Sequence, residues 1–235
     1  MTQVWNGILD GLRLLLTGDP ALWEIILLSA QVSGIALGLS AVLGIPSGAL
    51  LGLVKFPGKR MVQAVIYTGM GLPPVVVGLG VYLLLSRSGI LGPLNWSWVP
   101  ELFTVPAMIL AQVIIATPMV AGYTMSAVAG VSADLRLQIQ SLGATPAQVT
   151  LAVLREARLG VIVALVGGLG SIISEVGAVM MVGGNIEGST RVLTTAIMLQ
   201  TRQGDYGLAV GLGLVLLLLS FLINFGATQL QGKGS

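Results

Sequence analysis

IILLSAQVSGIALGLSAVLGIPSGALLGLV, residues 25–54, is a run of thirty residues without a charge, bounded by Glu24 and Lys55. A helix rising about 1.5 Å per residue crosses the roughly 30 Å of bilayer hydrocarbon in about 20 residues, so this run is long enough to span a membrane. Working outward, charge-free runs recur between Arg60 and Arg87 and between Glu101 and Asp134. Residues 159–182 are interrupted only by Glu175, and a last run covers residues 206–232. The sequence therefore predicts an all-α, polytopic helical membrane protein with about five transmembrane helices. It reads as a single transmembrane domain over residues 1–235, with an interfacial segment at 1–24 and a cytoplasmic loop at 130–160.

Composition leads to the same class. Of 235 residues, 55% are hydrophobic and only 9% charged, with a mean hydropathy of +0.96. A soluble domain carries roughly 25% charged residues to keep its surface hydrated. A net charge of +2 gives no footprint for nucleic acid. The chain has no Cys and no His, which excludes disulfides, thiolate nucleophiles, zinc-thiolate sites and His-dependent triads. No phosphate-binding loop is present, because Gly58-Lys59 is followed by Arg60 and lacks the preceding glycine spacing. No catalytic or metal-ligating set emerges. The energy for any work must come from a gradient or from another subunit.

An odd number of spans places the termini on opposite sides. With the N-terminus outside, the inner segments hold Lys55, Lys59, Arg60, Arg136, Arg155, Arg158 and Lys233. The outer segments hold Arg13, Arg87, Arg191 and Arg202. Excess Lys and Arg marks the cytoplasmic side, so the N-terminus is expected outside and the C-terminus inside. Trp96 and Trp98 then read as outer interface anchors. In residues 1–24, Trp5, Ile8, Leu9, Leu12, Leu15 and Leu16 recur at helical spacing, as in an amphipathic helix on the outer surface. A sixth span is the alternative, and it would place Asp10 and Arg13 at a cost within hydrocarbon.

Within the spans, Gly34, Gly38, Gly44, Gly48 and Gly52 offer small faces for helix packing. Pro46 is expected to kink the first span, and Gly71-Leu72-Pro73-Pro74 to break the second. Pro46, Pro73 and Pro74 are candidate gating hinges or plain structural kinks. Glu175 is the one ionisable residue deep in a span, amid Gly167, Gly168, Gly170, Ser171, Ser174 and Gly177. It reads either as a structural carboxylate or as a proton-coupling group.

The loop at 130–160 carries its own helical grammar. Residues 132–142 predict a short helix ending at Gly143, which suits a left-handed cap. Thr145 can cap a second helix with Pro146 at its first position and Gln148 three residues after the cap. A DNA-binding helix-turn-helix is rejected, since spans flank the pair closely on both sides.

The stretch SLGATPAQVTLAVL, residues 141–154, resembles the coupling loop of ABC-type importer permeases, with Gly143 at that motif's glycine. It departs from the motif at Leu137, Gln138 and Ile139, where Glu-Ala-Ala is usual, and at Arg155-Glu156, where Leu-Pro is usual. EVGAVMMVGGNIEGSTRVLTTAIMLQTRQGD, residues 175–205, resembles oxyanion-importer permeases of the molybdate branch. In detail it is more similar to tungstate-uptake permeases, a likeness that extends through Leu72-Pro73-Pro74-Val75 and most of residues 20–230.

The resemblance implies a non-enzymatic permease subunit in a prokaryotic plasma (inner) membrane, acting as a homodimer. Its partners would be two ATPase subunits, which hold ATP and Mg, and an extracytoplasmic oxyanion-binding protein. This chain itself would carry no cofactor. Ser141, Leu142, Gly143, Ala144, Thr145, Pro146 and Gln148 would engage the ATPase. Tungstate is the expected cargo, with molybdate or another small anion as the alternative. A dianion in low dielectric needs a wet or donor-lined path. Ser171, Ser174, Asn185, Ser189, Thr190, Thr194 and Thr195 offer donors, Arg191 would attract the anion, and Glu175 lies among them. An ion-coupled carrier using Glu175 is disfavoured by the short chain and the absence of convincing repeats. An intramembrane enzyme lacks any acid–base or metal set.

Overall fold

A computed structural model describes residues 20–94 and 96–232. Among the described residues are ten α-helices and no strand. They are α1 (Pro20–Leu53), α2 (Lys59–Met70), α3 (Pro74–Leu85), α4 (Val105–Ala129), α5 (Ala133–Ser141), α6 (Pro146–Glu156), α7 (Arg158–Ile173), α8 (Gly177–Gly183), α9 (Leu193–Gln203) and α10 (Tyr206–Gly232). Helices α1, α4 and α10 are each long and apolar enough to cross a membrane. The pairs α2–α3 and α7–α8 qualify when taken together, bent by 100° and 58°, which makes five if each pair is one span.

The breaks follow from local chemistry. Pro73 is extended (φ −62°, ψ 123°), as a residue before proline must be, and Pro74 takes the first position of α3. In α1, by contrast, the helix continues through Pro46. The Ser47 hydroxyl next to it donates to the Leu43 carbonyl at 2.7 Å. The α7–α8 break is centred on Glu175. Residues 20–24, assigned from sequence to the interfacial segment, already belong to α1, because Pro20 is a natural helix start. The amphipathic pattern before them lies outside the described residues.

The chain divides into two compact units. Among the described residues, one comprises 20–36, Pro73–Gln112 and Ile172–Phe225, and the other Leu37–Leu72, Val113–Ser171 and 226–232. In the first, Leu22 and Ile26 of α1 pack with Leu193 and Ala196 of α9 and with Leu212 and Val215 of α10. Ser29 ties this cluster together, its hydroxyl accepting the Leu193 N–H at 2.8 Å at the start of α9. Half-helices α3 and α8 approach closely, since a Cβ on Gly78 would lie 2.6 Å from the Ala178 Cα.

Along α1 the glycine series divides. A Cβ on Gly44, Gly48 or Gly52 would collide with Val120, with Thr124 and the Ala121 backbone, or with Val128 of α4. Gly34 and Gly38 have nothing within 4 Å of that position. Three of the five glycines are therefore packing residues for α4.

Candidate functional site

The pair α5–α6 is built as its sequence indicates. Ser132 caps α5, its hydroxyl accepting the Leu135 N–H at 3.3 Å. At the other end Gly143 is left-handed (φ +82°). The Gly143 N–H donates to the Gln140 carbonyl at 3.0 Å, and the Ala144 N–H reaches back to Ile139 at 3.4 Å. Those two bonds are a complete Schellman closure. Two residues later the Thr145 hydroxyl accepts the Gln148 N–H, and the Gln148 side chain accepts the Thr145 N–H at 2.7 Å. One turn thus satisfies both helix ends.

The pair is also seated. Val149, Val153 and Ala157 recur every four residues and bury against Ala49 of α1 and Val128 of α4. Each buried valine contributes about 1.5–3 kcal/mol. The opposite face is open: Leu142 is 86% exposed and Leu137 62%. Charge counting missed one clamp, Arg136. Its guanidinium donates to the carbonyls of Val128 at 2.7 Å and Val131 at 2.9 Å, so it closes the end of α4 as well as adding positive charge. A basic residue a few positions after a predicted helix was the available signal.

The hydroxyl-rich stretch falls into separate local groups. Glu175 is 7% exposed, and its Oε1 accepts the Ala178 N–H at 2.7 Å, which caps α8. Thr194 donates to the Glu175 backbone carbonyl at 3.0 Å, joining α9 to the break. Thr190 is fully buried, donates to the Gly183 carbonyl at 2.6 Å and accepts the Ile186 N–H. Thr195 bonds the backbone of Val192, accepting its N–H and donating to its carbonyl. Arg191 pairs with Glu187 at 3.2 Å. Asn185 is left-handed (φ +53°), and its buried Oδ1 has no partner among the described residues. Ser174 and Ser189 are exposed, and Ser171 belongs to the second unit.

A capping role for Glu175 gives a clear expectation. Glu175→Gln keeps an acceptor at Oε1 and should retain transport, whereas Glu175→Ala loses the cap and about 0.5–2 kcal/mol of stability. Uptake assays beside thermal unfolding check this. Abolition of uptake in the glutamine variant, with folding intact, would make the ionisable proton essential instead.

Residues 44–233 match the family described as binding-protein-dependent transport system inner membrane component. The chain is 39% identical to a tungstate uptake system permease protein of Peptoclostridium acidaminophilum, over 98% of this chain and 99% of that one. It is 46% identical to a probable anion ABC transporter permease protein of Haloferax volcanii, over 83% of this chain and 84% of the relative. The crystal structure of a bacterial ABC transporter involved in the import of the acidic polysaccharide alginate shares the fold, with a TM-score of 0.71. That match has 22% identity and covers 94% of this chain and 83% of the other. The bent spans, the seated α5–α6 pair and these likenesses together place the chain in the family of binding-protein-dependent inner membrane transport components, as a multi-pass ABC transporter permease subunit.

Proposed function

We propose that this permease carries tungstate, as a homodimer served by two ATPase subunits and an extracytoplasmic binding protein. ATP and Mg belong to the ATPases, and this chain performs no hydrolysis itself. The observation that carries the reading is the capped α5–α6 pair with Leu142 almost fully exposed, a rigid element that an ATPase cleft would cover. Residues 141–148 form the contact, and closure of the ATPases moves the pair. Tungstate is favoured because the similarity to a tungstate uptake permease extends over 98% of the chain. Of the predicted donors, Ser174, Asn185, Ser189 and Arg191 border a transient path, with selectivity residing mainly in the binding protein, whereas Thr190, Thr194 and Thr195 are buried on backbone partners.

The test is ATP-dependent uptake in proteoliposomes, offered tungstate, molybdate and sulfate, with and without each purified partner. Uptake of tungstate that needs all partners is the expected result. Equilibrium binding of labelled tungstate to the permease alone should be weak, since a deep basic site would release its ion slowly. Nanomolar binding without the binding protein would overturn the transient path.

Orientation is part of the proposal: N-terminus outside, C-terminus and α5–α6 in the cytoplasm. The sequence contains no cysteine, so Lys59→Cys gives a single thiol. It should resist an impermeant maleimide in intact cells and react once they are opened. Labelling from outside would invert the topology.

A further inference from the structure

The loop between α8 and α9, residues 184–192, is tied down at both ends and holds a largely buried cation. It starts beside Phe103, whose N–H donates to the Val182 carbonyl at 2.7 Å and whose ring lies against Gly184. Just past its other end, Thr194 donates to the Glu175 carbonyl at the α7–α8 break. Within it, the Ile186 carbonyl accepts the N–H groups of Ser189, Thr190 and Arg191 at 3.2, 2.9 and 3.0 Å. The Arg191 backbone is thus fixed between two buried residues, Thr190 and Val192. Its side chain is only 18% exposed, and its guanidinium meets the Glu187 carboxylate at 3.2 Å. Glu187, by contrast, is 82% exposed. The Arg191 Nε and the Asn185 Oδ1 are both buried and bond nothing among the described residues. The cation is held, incompletely paired, by a carboxylate that stands in the open.

With Asn185, Ser189 and Arg191 bordering an oxyanion path, as proposed above, we infer that Glu187 is a built-in competitor for the cargo. Its carboxylate occupies Arg191 between transport events, and a passing oxyanion displaces it. The loop shows this chemistry already, since a carboxylate oxygen sits at the guanidinium. An oxyanion presents the same paired acceptor oxygens to the same fork of donors. The difference in exposure decides which partner leaves. Arg191 is fixed by its neighbours, whereas Glu187 precedes left-handed Gly188 (φ +68°) and turns away without uncovering buried surface. A dianion carries twice the charge of Glu187 and wins the arginine while it is near. Once it moves on, Glu187 returns and closes the site behind it. Glu24 of α1 adds negative charge nearby, with its Oε1 3.8 Å from where a Cβ on Gly188 would lie. It forms no ion pair among the described residues, whose one pair is Glu187–Arg191.

The experiment is equilibrium binding of radiolabelled tungstate to the permease–ATPase complex in nanodiscs, without binding protein. Glu187→Gln should tighten binding about fivefold, the upper end for releasing a pair with one exposed member. Adding Arg191→Gln should remove the whole gain. Glu24→Gln alone should change binding by less than about twofold, because its charge is screened and makes no contact with the arginine. Thermal unfolding of each variant reports folding. Should Arg191→Gln unfold the protein, Arg191→Lys replaces it: the charge stays, the fork is lost, and most of the gain should go. A merely structural pair gives the opposite pattern in Glu187→Gln, a lower unfolding temperature with unchanged binding. That pattern, a gain that survives replacement of Arg191, or an equal gain in Glu24→Gln overturns the competitor role. Nanomolar binding by the unaltered complex instead overturns the transient path itself.

Discussion

Gly143→Val is expected to abolish coupled uptake while leaving the spans intact. At φ +82° a β-branched residue costs about 1–2 kcal/mol against glycine. The cheapest escape is to abandon the turn, which breaks the closure of α5 onto Ile139 and Gln140 and swings Thr145 out of register with Gln148. A Cβ at Gly143 meets nothing within 4 Å, so the effect is one of backbone conformation alone. Asparagine tolerates the left-handed region, and Gly143→Asn should therefore recover most of the activity. Stimulated ATP hydrolysis, ATPase pull-down and uptake would all be measured. Normal values for the valine variant would reduce the α5–α6 pair to a connector.

The second large effect is expected at Gly48. A Cβ there would lie 2.9 Å from the Thr124 Cβ and press on the Ala121 backbone. A helix backbone cannot give way as a flexible side chain does, so α1 and α4 must separate. Gly48→Leu should destabilise the protein by about 1–3 kcal/mol or more, the range for overpacking. Gly38→Leu, placed where nothing lies within 4 Å, is the matched control and should leave the unfolding temperature unchanged. Equal losses in both would mean that glycine content, and not this contact, governs stability.

These two sites also show what can be read from a sequence. Gly143, Thr145, Pro146 and Gln148 were legible because capping is local: donor and acceptor lie within a few residues, and few residue types satisfy the geometry. The charge-free runs were legible because hydrocarbon thickness sets their length. The glycines of α1 were not separable, since Gly38 and Gly48 belong to similar small-residue patterns and only the position of α4 distinguishes them. Long-range bonds were equally hidden. Nothing near Ser29 announces that its hydroxyl caps α9, 164 residues on, and nothing near Phe103 announces Val182. Arg191 shows the intermediate case. Its charge was visible, and so was Glu187 four residues before it, but counting charge by side of the membrane passes over local pairs.

The carboxylate of Glu175 has an electrical consequence. Tied to the Ala178 N–H, it is held at the break and does not travel with the cargo. A tungstate ion carries two negative charges, and entry into a cell with a negative interior opposes it. Each charge costs about 2.3 kcal/mol per 100 mV, so a dianion crossing 100 mV requires roughly 4.6 kcal/mol of electrical work before any concentration gradient is counted. Uptake into proteoliposomes should therefore slow as an inside-negative potential is imposed.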